Sequence, residues 1–420
     1  MKTILMLLTV FVIAGFRSNA QKLSDFYKKD IITLEPVSDF GTKNNWDTLF
    51  NDYNTSGFGK PIGQMRSIVV APDGSIFMSH KTRHEIWKFD KNGNYVMKFG
   101  RKGGKPGQFV YLPSVEGILD GKYIYTNDVQ GRMNFFDFNG KFIKMLKLDY
   151  MPLQTVPLKN GKIAILGFVV GKNMKHIIRI KDFTTGNENQ IWTENDDTDK
   201  KRIVITYPDG GMMSCSLPFT HSSLTWPRLA VSSTGNLVLA SPKTGKIMEY
   251  TPNGKLINSF QMNIEPLKIT DEDIKKSYEN ALKGADDFEK RFKVSVRGKK
   301  MTEQEQTELV KSYREQLVKY KDPNLYPKTL PYFSSMIVDS DGNLLIFEFT
   351  KDEDKLSNKF RAYSYDMKGN LLGVSSFKND ALDLTFTPQN FQFNNGYVYS
   401  LAKTKQDTKV PLRIVKLKLE

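Results

Sequence analysis

Gly74-Ser75-Ile76-Phe77-Met78-Ser79-His80-Lys81-Thr82-Arg83-His84-Glu85-Ile86-Trp87-Lys88-Phe89-Asp90-Lys91-Asn92-Gly93 sets two apolar runs between two glycine turns. Apolar run, turn, apolar run, short polar stretch, then an aromatic ahead of Asn-Gly is the pattern of an antiparallel meander. The same 19-residue interval between glycines returns at Gly121 to Gly140 and at Gly235 to Gly254. The second turn itself returns as Phe136-Asp137-Phe138-Asn139-Gly140, Tyr250-Thr251-Pro252-Asn253-Gly254 and Tyr365-Asp366-Met367-Lys368-Gly369. One such four-stranded sheet cannot bury both its faces, so the copies must stack, and a radial stack leaves only short edges exposed.

Six first turns mark the copies: Asp73-Gly74, Asp120-Gly121, Asn160-Gly161, Thr234-Gly235, Asp341-Gly342 and Asn395-Gly396. They predict inner strands over residues 65–71, 112–119, 151–158, 226–232, 333–339 and 386–393. After Gly396 come 397–402 and the alternating run 412–419, which leaves the last copy one strand short. Residues 30–37, with their Ile-Ile-Thr-Leu core, have the β propensity to supply that strand and lock the ends together. The expected fold is all-β, a six-bladed β-propeller of four-stranded antiparallel blades closed by an N-terminal strand. A count of seven stays open, because 203–207 and 212–217 around Pro208-Asp209-Gly210-Gly211 read as an extra hairpin.

The chain has 420 residues, 39% hydrophobic and 12% aromatic, enough apolar material to exclude disorder. Lys2, the apolar run Thr3 to Phe16 and the small-residue exit Ser18-Asn19-Ala20 read as a secretory leader over residues 1–20, ahead of one domain over 21–420. That reading expects a periplasmic or secreted protein with no membrane span. Cys215 is the single cysteine, so no internal disulfide can form and stability must come from packing. Formal charge is +15, and removing Lys2 and Arg17 with the leader leaves +13. The lysines are scattered over turns, no nucleic-acid motif is present and export points away from the genome, so no nucleic-acid partner is expected. A solvated basic surface accounts for the charge, with attraction to anionic glycans or lipid head groups as the sharper alternative.

Residues 268–325 break the pattern. Between Thr270 and Tyr320 the β-branched alternation gives way to helical spacing, with capping boxes at Thr270-Asp271-Glu272-Asp273 and Thr302-Glu303-Gln304-Glu305. This predicts a helical insertion between blades four and five. Glycine turns fall on one face of the ring, so blade-to-blade connections and second-to-third strand loops fall on the other. The long segments 168–175, 351–358 and 403–410 share that face with the insertion. Elaboration on one side only is how a scaffold displays a binding surface.

Phe99-Gly100-Arg101-Lys102-Gly103-Gly104-Lys105-Pro106-Gly107-Gln108-Phe109 resembles the connector of NHL-type six-bladed β-propellers, particularly exported propellers of gut Bacteroides-like bacteria. The resemblance covers 58–148, 226–260 and 333–377. It implies the fold first. Within that group some members are binding or scaffold proteins, while others resemble lactonases and lyases holding a metal at the channel mouth. The ending Ser-Asn-Ala-Gln is similar to export signals of that phylum.

Superposing the repeats places His80, Asn127 and Ser241 at equivalent ends of second strands on the elaborated face, with Lys81, Arg83, His84 and Asp128 nearby. Inner strands and their approaches add Arg66, Ser67, Glu116, Arg228 and Ser335, while His221 precedes the fourth inner strand and Glu348 closes the second strand of blade five. Trp226, Tyr332 and Phe333 begin inner strands, where rings can stack a sugar or peptide or simply fill core. Arg66, His80, Arg83, Glu116, Asn127, Asp128, Trp226, Arg228, Tyr332 and Glu348 are the expected ligand-binding set, facing an envelope protein, a peptide or a glycan. No cofactor is expected. The alternative is calcium on Glu116, Asn127 and Asp128 in a lactonase, hydrolase or lyase, since hard cations take oxygen ligands. Strand-end Asp and Asn more plainly serve turns. No nucleophile elbow, His-x-His or Cys pair occurs, so no catalytic residue is assigned.

Overall fold

The computed structural model describes residues 22–50, 67–81, 83–111, 113–128, 130–170, 174–195, 202–206, 212–217, 219–291, 295–296, 299–300, 302–349, 359–405 and 412–420. The expected leader, Arg66 and the segment 351–358 lie outside them. Four-stranded antiparallel sheets form in chain order. Blade one is Ile68–Val70, Ile76–His80, Glu85–Phe89 and Tyr95–Phe99, and blade two is Ser114–Leu119, Tyr123–Asn127, Arg132–Phe136 and Phe142–Lys147. Blade three is Met151–Leu158, Lys162–Val169, Lys175–Asp182 and Glu188–Asn195, and blade four is Arg228–Val231, Leu237–Ser241, Lys246–Tyr250 and Leu256–Gln261. Blade five is Ser335–Val338, Leu344–Phe347, Lys359–Tyr365 and Leu371–Lys378. Blade six takes Phe391–Asn394, Tyr397–Thr404 and Leu412–Leu419 from the C-terminal part of the chain and Ile31–Pro36 from the N-terminal part.

The repeated turn signature, an aromatic four residues ahead of a glycine, has a local cause. Pairing shifts by one residue at Phe89, Phe136, Tyr250 and Tyr365, a bulge beside which each ring packs in the cluster shared with the preceding blade. The next residue then closes the turn. Asp90, for example, accepts the amides of Asn92 and Asn94 at 2.9 and 2.8 Å, and Gly93 takes the positive φ of 80° that the turn requires.

Alternate residues of one strand serve different neighbours, as a period of two demands. Ile76 and Met78 pack toward blade six with Leu401 and Ile414, while Phe77 between them packs toward blade two with Val115 and Ile124. Every adjacent pair of blades shares one such cluster, the last joining blades five and six. The sheets therefore close into a six-bladed propeller.

Closure is more elaborate than a single added strand. Leu34 pairs antiparallel with Leu419, as the sequence leads one to expect, but Ile31 pairs parallel with Ser376, so the N-terminal strand also joins the outer strand of blade five. The preceding turn is pinned as well. Tyr27 donates its hydroxyl to Asp339 at 2.6 Å, Leu23 its amide to Asp341 at 2.9 Å, and Ser375 bonds the Tyr27 and Lys29 carbonyls. Gly373 permits this approach, because a Cβ there would stand 1.8 Å from the Tyr27 carbonyl oxygen.

Helices Asp271–Arg291 and Glu303–Leu317 leave between blades four and five through a neck where Leu330 donates to the Leu267 carbonyl at 2.8 Å. Thr302 and Glu305 form the expected capping box. The hairpin Arg202–Thr206 with Met212–Ser216 is not a seventh blade; it is a two-stranded sheet in the blade three to four connection, lying against the second helix. Leu217 after that hairpin joins Ile274, Ala285, Leu309, Leu317 and Tyr326 in a core separate from the blades. The two connections thus build one cap on the elaborated face.

Candidate functional site

Innermost strands have one edge without a neighbour, and these edges surround a central channel of about 620 Å³. All six blades contribute, through residues such as Ile68, Glu116, Gln154, Leu229, Met336 and Gln392. An open edge exposes backbone donors and acceptors. Side chains from neighbouring blades answer part of this demand: Gln154 accepts the Leu229 amide at 3.1 Å and donates to the Leu229 carbonyl at 2.8 Å, and Gln392 accepts the Val70 amide at 3.1 Å.

Among the described residues of the predicted set, Glu116 lines this channel, and a bulge puts it there. Pairing of blade two skips from Val115 to Gly117, leaving Glu116 as the extra residue. Thr155 of blade three donates to its carboxylate at 3.4 Å. Burial pushes the carboxyl above the usual range, against hydrogen bonds from Ser114 and Thr155 and the attraction of Lys81. The neighbouring Tyr125 phenol is also driven up, mainly by burial.

The remaining described candidates are held by three local sets of contacts. His80 is fully buried with its ring 4.8 Å from that of Trp87, and Arg83 lies over the same indole at 5.5 Å. Glu85 beneath them accepts from Trp87 Nε1 at 3.0 Å and from Lys98 at 2.6 Å. Burial raises its carboxyl, but those bonds and the Lys98 and Arg83 charges outweigh it and leave a net fall. On blade two, Asn127 ends the second strand and is buried. Asp128 takes the amides of Gln130 and Arg132 on one oxygen, and Arg132 Nε and Nη2 on the other at 2.9 and 2.6 Å.

The third group lies at blades four and five. Arg228 gives its guanidinium to three carbonyls, Ser334 at 3.1 Å, Trp226 at 2.9 Å and Ser223 at 3.0 Å, and burial lowers its pKa to about 10. Ser334 Oγ in turn donates to the Glu348 carbonyl at 2.8 Å. The Glu348 carboxylate lies 3.8 Å from Arg361; beside it the Tyr363 phenol is pushed up to about 12, first by burial and then by its bond to Glu348. The Trp226 ring is tilted at 4.9 Å against that of His176, which lies 5.0 Å from Phe168, and the buried Trp226 Nε1 has no acceptor among the described residues. Tyr332 packs on Gly245 and donates its amide to the Pro242 carbonyl at 2.9 Å.

Gln154, Gln392 and Arg132 escaped the sequence reading. The glutamines meet partners 75 and 322 residues away, beyond any local pattern. Arg132 had a signal, its place four residues after Asp128 on the same short loop. The calcium alternative fits these donors poorly. The Asp128 carboxylate already accepts four hydrogen bonds, and no three His, Cys, Asp or Glu side chains converge among the described residues.

Blade count, closure and channel define a six-bladed β-propeller, and a family model described as a six-bladed β-propeller matches residues 59–206. No curated protein sequence matches the chain. Among solved structures, a candidate exported protein of Bacteroides fragilis is 12% identical, with 84% of this chain and 89% of that one covered and a TM-score of 0.47. A Bacteroides vulgatus member of a family of unknown function is 11% identical over 94% and 99% of the two chains, with a TM-score of 0.48. Inactive virginiamycin B lyase from Staphylococcus aureus, solved with quinupristin, is 11% identical over 84% and 94%, with a TM-score of 0.37.

Proposed function

We propose that this propeller is an exported, non-catalytic binding protein that holds a partner protein, peptide or glycan on its elaborated face, with the cap as a rim. The carrying observation is one-sided construction. Tight turns occupy one face, while the connections on the other build a cap with its own core of Leu217, Ile274, Ala285, Leu309 and Leu317. Three charged groups at that face are held structurally, Asp128 by Arg132, Glu85 by Lys98 and Arg228 by three carbonyls, which supports display over proton transfer at these positions. The export reading rests on the leader composition at residues 1–20. No helix among the described residues is long and apolar enough to cross a membrane.

The test is face-resolved photocrosslinking in the envelope fraction, with the probe at exposed Arg101 or Lys319 on the elaborated face or at exposed Lys91 on the turn face. Adducts from the first two positions and not the third are expected. A partner captured only from Lys91 overturns the assignment, and a variant with residues 270–320 replaced by a short linker that keeps every adduct at Arg101 removes the cap from the reading.

A further inference from the structure

The connector between blades one and two carries three cations with no neutralising partner among the described residues. Arg101, Lys102 and Lys105 are exposed, and among the described residues no ion pair or side-chain hydrogen bond engages them. The carboxylates of the flanking hairpins are already taken, Glu85 by Lys98 and Asp128 by Arg132. Arg83 lies over Trp87 in the adjoining hairpin, where its charge acts on Glu85, and Gly100 lies beside the His84 carbonyl of that hairpin.

This is a built loop rather than a loose basic stretch. Phe109 donates to the Arg101 carbonyl at 2.9 Å, Gly103 to the Phe109 carbonyl at 3.0 Å and Gln108 to the Lys105 carbonyl at 3.0 Å. Blade two clamps it from below, through Arg132 Nη1 on the Gly104 carbonyl at 3.3 Å and the Gly107 amide on Asn134 Oδ1 at 3.2 Å. Gly103 has φ of 152°, a backbone conformation in which a side chain would be strained. Phe109 is buried as the anchor. Two residues further on, Tyr111 leaves 45% of its surface exposed.

From three exposed cations on a hydrogen-bonded loop, with an exposed ring two residues past its buried anchor, we infer that this connector is a subsite for an anionic glycan, the cations pairing with its carboxylate or sulfate groups and Tyr111 stacking on a sugar ring. The inference rests on the elaborated-face reading and names the ligand class. Cations alone would suit any polyanion, and the ring decides among them. One ring is little apolar area for docking on a bilayer, and single-stranded nucleic acid uses a succession of aromatic platforms.

The test measures binding of polygalacturonate and heparin oligosaccharides to the mature chain at low salt, with dextran oligosaccharides as the neutral control. Three variants are compared: R101E/K102E/K105E, Y111A, and K91E/K122E/K141E, whose exposed turn-face positions give the same change in net charge. At least one of the two anionic glycans should bind and dextran should not. The connector variant should weaken binding at least about tenfold, Y111A several-fold with the salt dependence kept, and the turn-face variant less than about twofold. R101Q/K102Q/K105Q repeats the comparison with milder chemistry should the reversed charges disturb folding. Equal loss in the turn-face variant means the overall charge attracts the glycan, and overturns the subsite. Equal binding of dextran, or binding only to phosphatidylglycerol vesicles or oligo-dT, overturns it as well. If crosslinks still map to the elaborated face while the connector variant binds normally, the subsite falls and the broader reading survives. Loss confined to the turn-face variant removes both.

Discussion

Replacing Tyr27 by Phe removes one oxygen atom from the closure of the ring. The ring itself stays packed with Ile32, Leu34 and Phe377, so the change isolates the 2.6 Å bond to Asp339. Both groups are buried, and a hydrogen bond to a charged group contributes about 1.5–3 kcal/mol. Asp339 keeps Asn343 Nδ2 at 2.8 Å on the same oxygen and two amides on the other, so the carboxylate is not orphaned and about 2 kcal/mol is the expected cost. Spread over a domain of this size, that lowers Tm by only about 2 °C. Local opening amplifies it, since about 2 kcal/mol multiplies an opening equilibrium roughly 30-fold at tenfold per 1.4 kcal/mol. Hydrogen exchange followed by mass spectrometry should therefore show the Thr33 and Val37 amides exchanging about 30 times faster, with residues 123–136 unchanged. Burial already raises the Asp339 carboxyl, and bonds from Tyr27 and Asn343 pull it back; losing one raises it further. The gap between wild type and variant is then full above both folded values and closes as pH falls through them. Exchange within twofold of wild type at Thr33 and Val37, or equal acceleration in blade two, refutes the latch as a discrete unit.

Gly373→Ala places a Cβ against the Tyr27 carbonyl and should undock the same segment more completely, with exchange of 31–36 approaching that of unstructured chain. Arg132→Ala leaves Asp128 buried without its ion pair and should cost about 3 kcal/mol in a urea titration, and a loss below about 1 kcal/mol would show water reaching the carboxylate. Glu116→Gln tests the channel. Because burial raises the folded pKa of Glu116, the stability tied to its proton is complete below about 4.3 and lost as pH rises through the folded value. The Gln variant should gain on wild type between pH 4 and 8, and a pH-independent gap argues that the carboxylate is well solvated. Gln154→Ala uncaps the Leu229 edge and should cost about 1–2 kcal/mol, read by urea midpoint, with no change if channel water replaces both bonds equally well.

Local chemistry wrote the blades into the chain. Asp90, Asp137 and Asp366 cap their turns through neighbouring amides, and a glycine in the left-handed region follows each, so both turn and register are decided within five residues. Residues 30–37 read as the missing strand because the last copy was one strand short and their Ile-Ile-Thr-Leu core has β propensity. The candidate site depends on contacts of the opposite kind. Asp128 looked like a ligand in sequence, yet Arg132 saturates it; Arg228 looked like an open cation, yet three carbonyls from two connections hold it. Whether a polar side chain faces a ligand or a neighbour is decided where blades from distant parts of the chain meet, and Glu116 enters the channel only because a one-residue bulge turns it there. Periodicity survives in the sequence because it repeats every few residues; convergence does not, because it exists only once the ring has closed.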